Sequence, residues 1–259
     1  IQNRIDELIK ILNEASRNYY ELDNPTITDQ EYDDYYHELE QLEKENPSLV
    51  RDDSPTKRVG GKVIKGFTKV THEIPMMSLG DIFSEEEIIE FDERIKKTIP
   101  NPKYVCELKI DGLSVSLLYK NGKLVRGATR GNGVVGEDIT HNVETIKSIP
   151  LTIPYQDDIE VRGEIFMPKK SLQKVNQERK EQGLEEFQNC RNAASGTIKS
   201  LDSKIVAKRK LDNFMYQLIT KEDNVVKQSE VLSFLENEGF KINKEGKLCK
   251  NVDEIIEYI

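Results

Sequence analysis

The spacing of apolar residues changes along this chain, and the change limits the folds that the chain can adopt. In the first sixty residues apolar side chains recur at helical intervals, at Ile1, Ile5, Leu8, Ile9 and Leu12. Asn24-Pro25 interrupts this pattern, and a second helix is predicted after the capping box of Thr28 and Glu31. From Tyr104 the period becomes two, which is typical of a half-buried strand. The sequence therefore predicts a helical hairpin followed by a part that contains a sheet.

The predicted sheet is antiparallel because a two-residue turn joins its strands. Asn121-Gly122, a pair favoured in hairpins, separates predicted strands at residues 113–119 and 124–129, and residues 159–166 alternate in the same way. Helices are predicted to begin at Ser84 and to cover residues 171–186, 231–238 and 253–258. This mixture indicates an α+β fold. We expect a small helical domain at residues 1–60 and, at residues 61–259, a domain of antiparallel sheets with flanking helices.

Composition and charge exclude several classes of protein. No stretch is long and apolar enough to cross a membrane. The 3 cysteines are far apart and form no C-x-x-C pair, so we expect neither a disulfide framework nor a zinc ribbon, and we expect a cytoplasmic protein. Because the net charge is −9, contacts with DNA phosphates must come from local basic clusters. The densest cluster, at residues 199–210, by itself indicates only a solvated surface.

Lys109 lies between two carboxylates, Glu107 and Asp111, on one face of the strand predicted from Tyr104. This pattern alone favours a solvated strand with ion pairs. The alternative is a nucleophilic lysine, which must react as a neutral amine although free lysine has a pKa of about 10.4. Because neighbouring carboxylates stabilise the ammonium form, the alternative requires a divalent ion or cations such as Arg130 to offset them.

Two further patterns point away from other kinds of site. Gly131 and the residues up to Gly136 match G-x-G-x-x-G, which binds dinucleotides when it joins a parallel strand to a helix. Here it follows the second arm of a predicted hairpin, so we expect a glycine-rich turn. His37, His72 and His141 are far from one another and from the cysteines, which gives little support for a metal cluster or a catalytic triad.

The segment Lys109-Ile110-Asp111-Gly112 resembles the K-x-D-G motif of covalent nucleotidyltransferases. Further segments resemble those of bacterial NAD-dependent DNA ligases and follow in that family's order. They are Asp29-Gln30-Glu31-Tyr32-Asp33, Asp53-Ser54-Pro55-Thr56, Arg58-Val59-Gly60-Gly61, residues 72–75, Met77-Ser78-Leu79, Thr129-Arg130-Gly131, Gly136-Glu137-Asp138, Val161-Arg162-Gly163-Glu164 and Arg191-Asn192-Ala193-Ala194. The resemblance covers essentially the whole chain. It implies the family's small helical domain, which binds nicotinamide mononucleotide, followed by most of an adenylation (nucleotidyltransferase) domain.

This resemblance implies a three-step reaction. Lys109 would attack the adenylyl phosphorus of NAD, release nicotinamide mononucleotide and carry AMP. The AMP would pass to the 5′-phosphate at a nick in double-stranded DNA, where the 3′-hydroxyl would displace it and seal the strand. The family requires Mg²⁺, for which Mn²⁺ can substitute, and acts in DNA replication and repair. We expect a monomer without a membrane partner.

The resemblance also implies site residues, position by position. Lys109 and Asp111 would be catalytic. The nicotinamide mononucleotide half would contact Tyr19, Tyr20, Asp29, Tyr32 and Asp33, of which Asp29, Tyr32 and Asp33 share one helix face. Without the resemblance, acidic residues at a helix start and a core tyrosine would explain that face. Adenine and its ribose would lie near Ser78, Leu79, Glu107, Arg130 and Glu164. Asp111 and Glu164 would support the Mg²⁺-assisted chemistry, and Arg191 and Lys199 would contact DNA.

The chain departs from the family pattern at several positions. Asn132 replaces a common aspartate, Cys190 a common proline and Lys199 a common arginine, and lysine lacks arginine's bidentate phosphate geometry. The sequence also stops before the family's second Asp-Gly strand and its later lysines, so we expect a fragment whose parent carries a zinc module further on. Two alternatives stay open: an ATP-dependent ligase or capping-type nucleotidyltransferase, and a non-catalytic NAD-binding module.

Overall fold

The computed structural model describes residues 1–20, 26–58, 66–220 and 227–259, without the side chains of Tyr19, Tyr20, Asp29 and Arg58. This part opens with helices α1 (Gln2–Tyr20) and α2 (Asp29–Glu45), followed by short 3₁₀ turns at Pro47–Leu49 and Pro55–Arg58. The remaining elements, in chain order, are β1 (Lys69–Thr71), α3 (Glu85–Lys96), β2 (Tyr104–Cys106), β3 (Leu113–Lys120), β4 (Lys123–Thr129), β5 (Val135–Glu137), α4 (Thr140–Val143), β6 (Ile159–Phe166), α5 (Lys169–Glu181), α6 (Cys190–Ile198), α7 (Ser203–Arg209), β7 (Asp212–Thr220), α8 (Gln228–Asn237), β8 (Lys247–Cys249) and α9 (Val252–Tyr258).

The two N-terminal helices form the predicted hairpin. They pack through an apolar cluster whose buried members are Ile5, Leu8, Ile9, Leu12 and Leu39. The capping box is present, because Thr28 Oγ1 accepts the backbone N–H of Glu31 and the Glu31 carboxylate accepts that of Thr28. Such a cap stabilises a helix by about 1 kcal/mol. The break predicted at Asn24-Pro25 and the domain boundary predicted at residues 60 and 61 lie outside the described residues.

A four-stranded antiparallel sheet organises the rest of the chain, in the order β4-β3-β6-β7. The β3-β4 turn has φ 49° at Asn121 and 69° at Gly122, the left-handed pair of a type I′ turn. Its right-handed twist matches that of the strands it joins, which explains why Asn-Gly predicted the hairpin correctly. Two short antiparallel pairs, β1 with β5 and β2 with β8, lie outside this sheet. Antiparallel sheets with flanking helices confirm the predicted α+β class.

Helices and loops cover one apolar core around the sheet. Helix α6 lies against β3 and β6, where Ala193 and Ala194 are fully buried, and α8 lies against β7. The rings of Tyr119 and Phe240 meet edge to face at 5.3 Å. Fully burying one such large apolar side chain contributes about 2 to 3 kcal/mol. This core fixes the strands whose ends carry the candidate site.

Two predicted element bounds are wrong. Strand β2 ends at Cys106, so the segment from Glu107 to Asp111 is not a strand although its residues alternate. Strand β2 ends there because β8 pairs with only three of its residues, Tyr104 to Cys106, before the chain continues to β3. The helix predicted at residues 171–186 ends at Glu181, where Gly183 adopts φ 71° and the N–H of Leu184 bonds back to the Arg179 carbonyl.

The glycine-rich segment forms a turn between β4 and β5, as expected. Asn132 Oδ1 accepts the backbone N–H groups of Val134 and Val135 at 3.0 and 2.8 Å. An asparagine oxygen thus satisfies this turn where the family commonly has aspartate. Among the described ranges, no helix is long and apolar enough to cross a membrane.

Candidate active site

A cavity of about 400 Å³ lies beside the four-stranded sheet. Each strand contributes a residue to its wall, with Ser114 from β3, Arg130 just after β4, Glu164 from β6 and Tyr216 from β7. The loop around Ser78 and the segment after β2 form further walls. This volume is in the range of pockets that hold small ligands and cofactors.

The fold brings most of the predicted adenylation residues into this one cavity. Those that line it are Ser78, Leu79, Glu107, Lys109, Arg130 and Glu164, and Arg191, which was predicted to contact DNA, lines it as well. They come from separate strands, loops and a helix, so tertiary structure assembles them.

Lys109 is exposed to the cavity on the irregular segment that links β2 to β3. The glycine three residues later lets that segment pass β6 at close range. A Cβ atom at Gly112 would lie 2.2 Å from the carbonyl oxygen of Ile165, far inside van der Waals contact. The glycine of the K-x-D-G motif is therefore required by backbone packing beside the lysine.

Glu164 is the acidic centre of the cavity. Ser114 Oγ donates a hydrogen bond of 2.8 Å to its carboxylate. Burial raises the pKa of Glu164, whereas the hydrogen bond from Ser114 and the positive charges of Arg191, Lys109 and Arg130 oppose this rise. Three cations thus lie around one half-buried carboxylate and offer positive partners to a phosphate group, while Asp81 and Glu107, which also line the cavity, balance its formal charge.

Two arginines of the cavity are held by neighbouring side chains. Arg130 Nη1 donates to Ser78 Oγ at 3.2 Å. Arg191, near the start of α6, lies 3.8 Å from Asp111 Oδ1 through its Nη1. Asp111 itself is exposed and does not line the cavity. Its contact with Arg191 keeps the catalytic candidate Asp111 at the edge of the site.

Apolar and aromatic side chains form much of the remaining wall. They are Met77, Leu79, Leu108, Ile110, Phe214, Met215 and Tyr216. Glu107 also lines the cavity and is half-buried, and burial raises the pKa of its carboxyl group. Burial and the charge of Glu164 also raise the pKa of Tyr216. Such a surface suits a flat aromatic base more than a phosphate.

Arg162, a buried residue of β6, positions the loop that carries Ser78. Its Nη1 donates to the Pro75 carbonyl at 3.1 Å and its Nη2 to the Ile74 carbonyl, while Nε pairs with Glu160 at 2.6 Å. The side chain is only 3% exposed. A charge this deeply buried persists because each of its sides has an acceptor.

The residues predicted for nicotinamide mononucleotide lie elsewhere. Tyr32 and Asp33 are on α2 and do not line the Lys109 cavity. The Tyr32 hydroxyl lies 3.1 Å from Ser16 Oγ, and Lys147 Nζ lies 4.7 Å from the centre of its ring. The side chains of Tyr19, Tyr20 and Asp29 lie outside the part of the chain that the structure describes. Lys199, predicted to contact DNA, forms an ion pair with Glu137 at 2.9 Å.

Sequence analysis missed several residues of the site. Phe214, Met215 and Tyr216 come from β7, which was not predicted because three consecutive apolar residues show no period of two. Asn243 lines the cavity from a loop without any local signal. Gln228 bonds two lining residues from the start of α8. None of these positions belongs to a sequence motif, so only the fold shows that they are part of the site.

Oxygen ligands for a divalent ion are few. In the parts of the chain that the structure describes, no group of three or more His, Cys, Asp or Glu side chains could hold a metal ion. Mg²⁺, however, commonly takes one or two carboxylates and completes its shell with water and substrate phosphates. Glu164 fits that requirement because it faces the cavity, whereas Asp111 lies at the edge.

The antiparallel sheet and the lysine-bearing cavity define an adenylation domain of the nucleotidyltransferase type. Residues 64–259 match the family model of the NAD-dependent DNA ligase adenylation domain, and residues 1–60 match that of the DNA ligase-like, N-terminal NAD⁺-binding domain. The chain belongs to the NAD-dependent DNA ligase family.

Curated relatives agree with this assignment. A DNA ligase of Ligilactobacillus salivarius is 52% identical over 261 residues, which cover 100% of this chain and 39% of that protein. A DNA ligase of Oceanobacillus iheyensis is 50% identical over the same coverage. A DNA ligase of Thermotoga neapolitana is 52% identical over 93% of this chain and 35% of its own length. The chain thus spans about two fifths of the length of the relatives it matches.

Proposed function

We propose that this chain performs the first step of DNA ligation, transfer of the adenylyl group of NAD to Lys109. The observation that carries the proposal is one nucleotide-sized cavity that exposes Lys109 next to Arg130, Arg191 and Glu164 and has an apolar, aromatic remainder. The family membership supports NAD as the donor, since residues 1–60 match an NAD⁺-binding domain.

In this reaction Lys109 Nζ first loses a proton to water and becomes a neutral amine. It then attacks the adenylyl phosphorus, a phosphorus–nitrogen bond forms, and the bond from phosphorus to the bridging oxygen breaks. Nicotinamide mononucleotide leaves with that electron pair, and a second proton leaves Nζ for solvent. Arg130 and Arg191 would stabilise the charged transition state by electrostatics.

The adenylyl half would occupy the cavity in a fixed direction. The base would lie against the apolar wall near Leu79 and Glu107, and Ser78, Arg130 and Glu164 would contact the ribose. The phosphorus would lie beside Lys109. The lining of the cavity thus offers both the apolar surface and the positively charged groups that an adenylate requires.

The nicotinamide half would be held by the helical unit, through Tyr19, Tyr20, Asp29, Tyr32 and Asp33. Tyrosine faces can stack on the positively charged ring, and carboxylates can accept the ribose hydroxyls. Because Tyr32 and Asp33 do not line the Lys109 cavity, the helical unit would have to move toward it when NAD binds.

Mg²⁺ would neutralise charge on the phosphates, with Glu164 as its protein ligand and Asp111, at the edge of the site, as an electrostatic partner. Mn²⁺ would substitute. In the longer protein, AMP would pass to the 5′-phosphate of a DNA nick, which the 3′-hydroxyl would then seal. Arg191 would meet DNA phosphates, and Lys199 would do so only after releasing Glu137. We expect a monomeric enzyme of DNA replication and repair that acts in the cytoplasm.

Mass spectrometry of the chain after incubation with NAD and Mg²⁺ tests this function. We expect AMP attached to Lys109 and nicotinamide mononucleotide released in equal amount. Lys109→Ala should abolish the adduct while the melting temperature stays unchanged, because an exposed side chain contributes little to stability. An adduct on another residue, or one formed in Lys109→Ala, would refute the assignment.

The same experiment separates the two alternatives. If ATP and not NAD labels Lys109, the chain acts like an ATP-dependent ligase or capping enzyme. If NAD binds but no label appears even when the remaining 61% of a relative is fused to the chain, the chain is a binding module. The family match at residues 1–60 favours NAD over ATP, because only NAD has a nicotinamide half for that unit.

A further inference from the structure

Gln228 links two walls of the cavity although it does not line it. Its Nε2 donates to Glu107 Oε2 at 2.8 Å and to the backbone carbonyl of Tyr216 at 2.7 Å. Glu107 and Tyr216 both line the cavity. A side-chain amide has two N–H groups, and only these can donate to two acceptors, so the orientation of the Gln228 amide is fixed by its partners.

Glu107 has one carboxylate oxygen left for a ligand. Within the described ranges, the hydrogen bond from Gln228 occupies Oε2, and no donor bonds to Oε1. An ionised carboxylate can only accept hydrogen bonds. A ligand that docks against Oε1 in this cavity must therefore present an N–H or O–H group there.

We propose that Gln228 is a positioning residue for base specificity, which holds Glu107 so that Oε1 accepts a hydrogen bond from the exocyclic amine of adenine. The inference rests on the function proposed above, in which this cavity takes the adenylyl half of NAD. Hypoxanthine has a carbonyl oxygen in place of that amine, so the same pose would set two acceptors against each other. Sites that pair with one polar group reject analogues that cannot complete the bond.

The state of the Glu107 carboxyl supports this role. Burial raises its pKa, and the hydrogen bond from Gln228 lowers it again. Without Gln228 the carboxyl would hold its proton to higher pH and could rotate away from the Tyr216 strand. Gln228 thus favours both the charge and the direction that an amine requires.

The test compares NAD with nicotinamide hypoxanthine dinucleotide as donors to Lys109, followed by mass spectrometry in single-turnover reactions. We expect the unmodified chain to react at least about tenfold faster with NAD. In Gln228→Met, which keeps the length of the side chain and removes the donors, the rate with NAD should fall about tenfold while the rate with the hypoxanthine donor changes little. Gln217→Met, the same change at an exposed position of β7 next to Tyr216, should keep the full preference.

Other outcomes would overturn the inference. If Gln228→Met lowers the labelling rate equally with both donors, Gln228 has only a structural role. If the labelling rate does not fall with either donor, Gln228 has no role in the reaction. An unmodified chain without preference would show that Glu107 does not read the base. If neither donor labels Lys109, the proposed function fails, but calorimetry with AMP and IMP still tests Gln228. In that case an AMP preference that survives Gln228→Met would refute the positioning role.

Discussion

At the scale of single residues, the charged carboxylate of Glu164 lowers the stability of the fold and is also a group that we propose for catalysis. Its carboxylate is half-buried and accepts from Ser114, and three cations lie near it, yet burial still raises its pKa. The folded protein therefore holds the Glu164 proton to higher pH than the unfolded chain does. Stability from this group is fully present below the ordinary value of 4.5 and is lost as pH rises through the folded value.

Glu164→Gln should consequently stabilise the protein at neutral pH while impairing adenylation. We expect a melting temperature raised by less than about 3 °C at pH 7.5, no difference near pH 4, and at least tenfold slower labelling of Lys109. Calorimetric melting at the two pH values provides the measurement. Glu137→Gln is the control with opposite sign, because Lys199 and Lys69 lower the pKa of Glu137 and its charge stabilises the fold above that pKa. A lower melting temperature for Glu164→Gln at pH 7.5 would contradict the argument.

At the scale of elements, prediction from sequence succeeded where local chemistry decides the structure. The Asn121-Gly122 turn and the Thr28 capping box need only their own residues, and both are present. Strand β7 was missed because its burial alternates while its polarity does not: Asn213 is fully buried, and the apolar Phe214 lies on the half-buried face. The segment after β2 alternates like a strand but has no partner strand, so pairing overrides its pattern.

Gly112→Ala should test how closely this segment passes β6. The added Cβ would lie 2.2 Å from Ile165 O, and the backbone atom cannot move without disturbing the strand. We expect a loss of about 1 to 3 kcal/mol in the free energy of unfolding, measured by urea titration, and slower labelling of Lys109. Gly66→Ala is the control, since nothing lies within 4 Å of its new Cβ. Equal stability of the two variants would mean that the close approach is not present in solution.

At the scale of the whole molecule, the adenylation residues could be predicted and their arrangement with the helical unit could not. Motif order identified part of the cavity wall, from Ser78 to Arg191, whereas the lining residues of β7 and Asn243 belong to no motif. No local pattern reports which surfaces of two units meet. Here the helical unit contacts the β3-β4 hairpin, where Asp52 pairs with Lys123 as well as Lys57. These two lysines lower the pKa of Asp52 to about 2, so the contact persists at any pH above roughly 4.

This contact opposes the movement that the proposed function requires. Tyr32 lies near Lys147 and outside the Lys109 cavity, and the pair of Asp52 with Lys123 joins the same two parts of the chain. An ion pair that forms only in the present arrangement stabilises that arrangement. It therefore lowers the apparent affinity for a ligand that binds to a different arrangement of the same two parts. Its contribution is at most about 1 kcal/mol, because both partners are more than half exposed.

Lys123→Gln should therefore tighten NAD binding by no more than about fivefold, with the dissociation constant measured by calorimetry. Lys120→Gln is the matched control, because Lys120 lies on the same hairpin and its partner Asp158, at 4.0 Å, belongs to the same part of the chain. The difference between the two variants should shrink in about 0.5 M salt, since surface ion pairs are screened there. Weaker binding by Lys123→Gln than by Lys120→Gln would show instead that the present arrangement is the one that holds NAD.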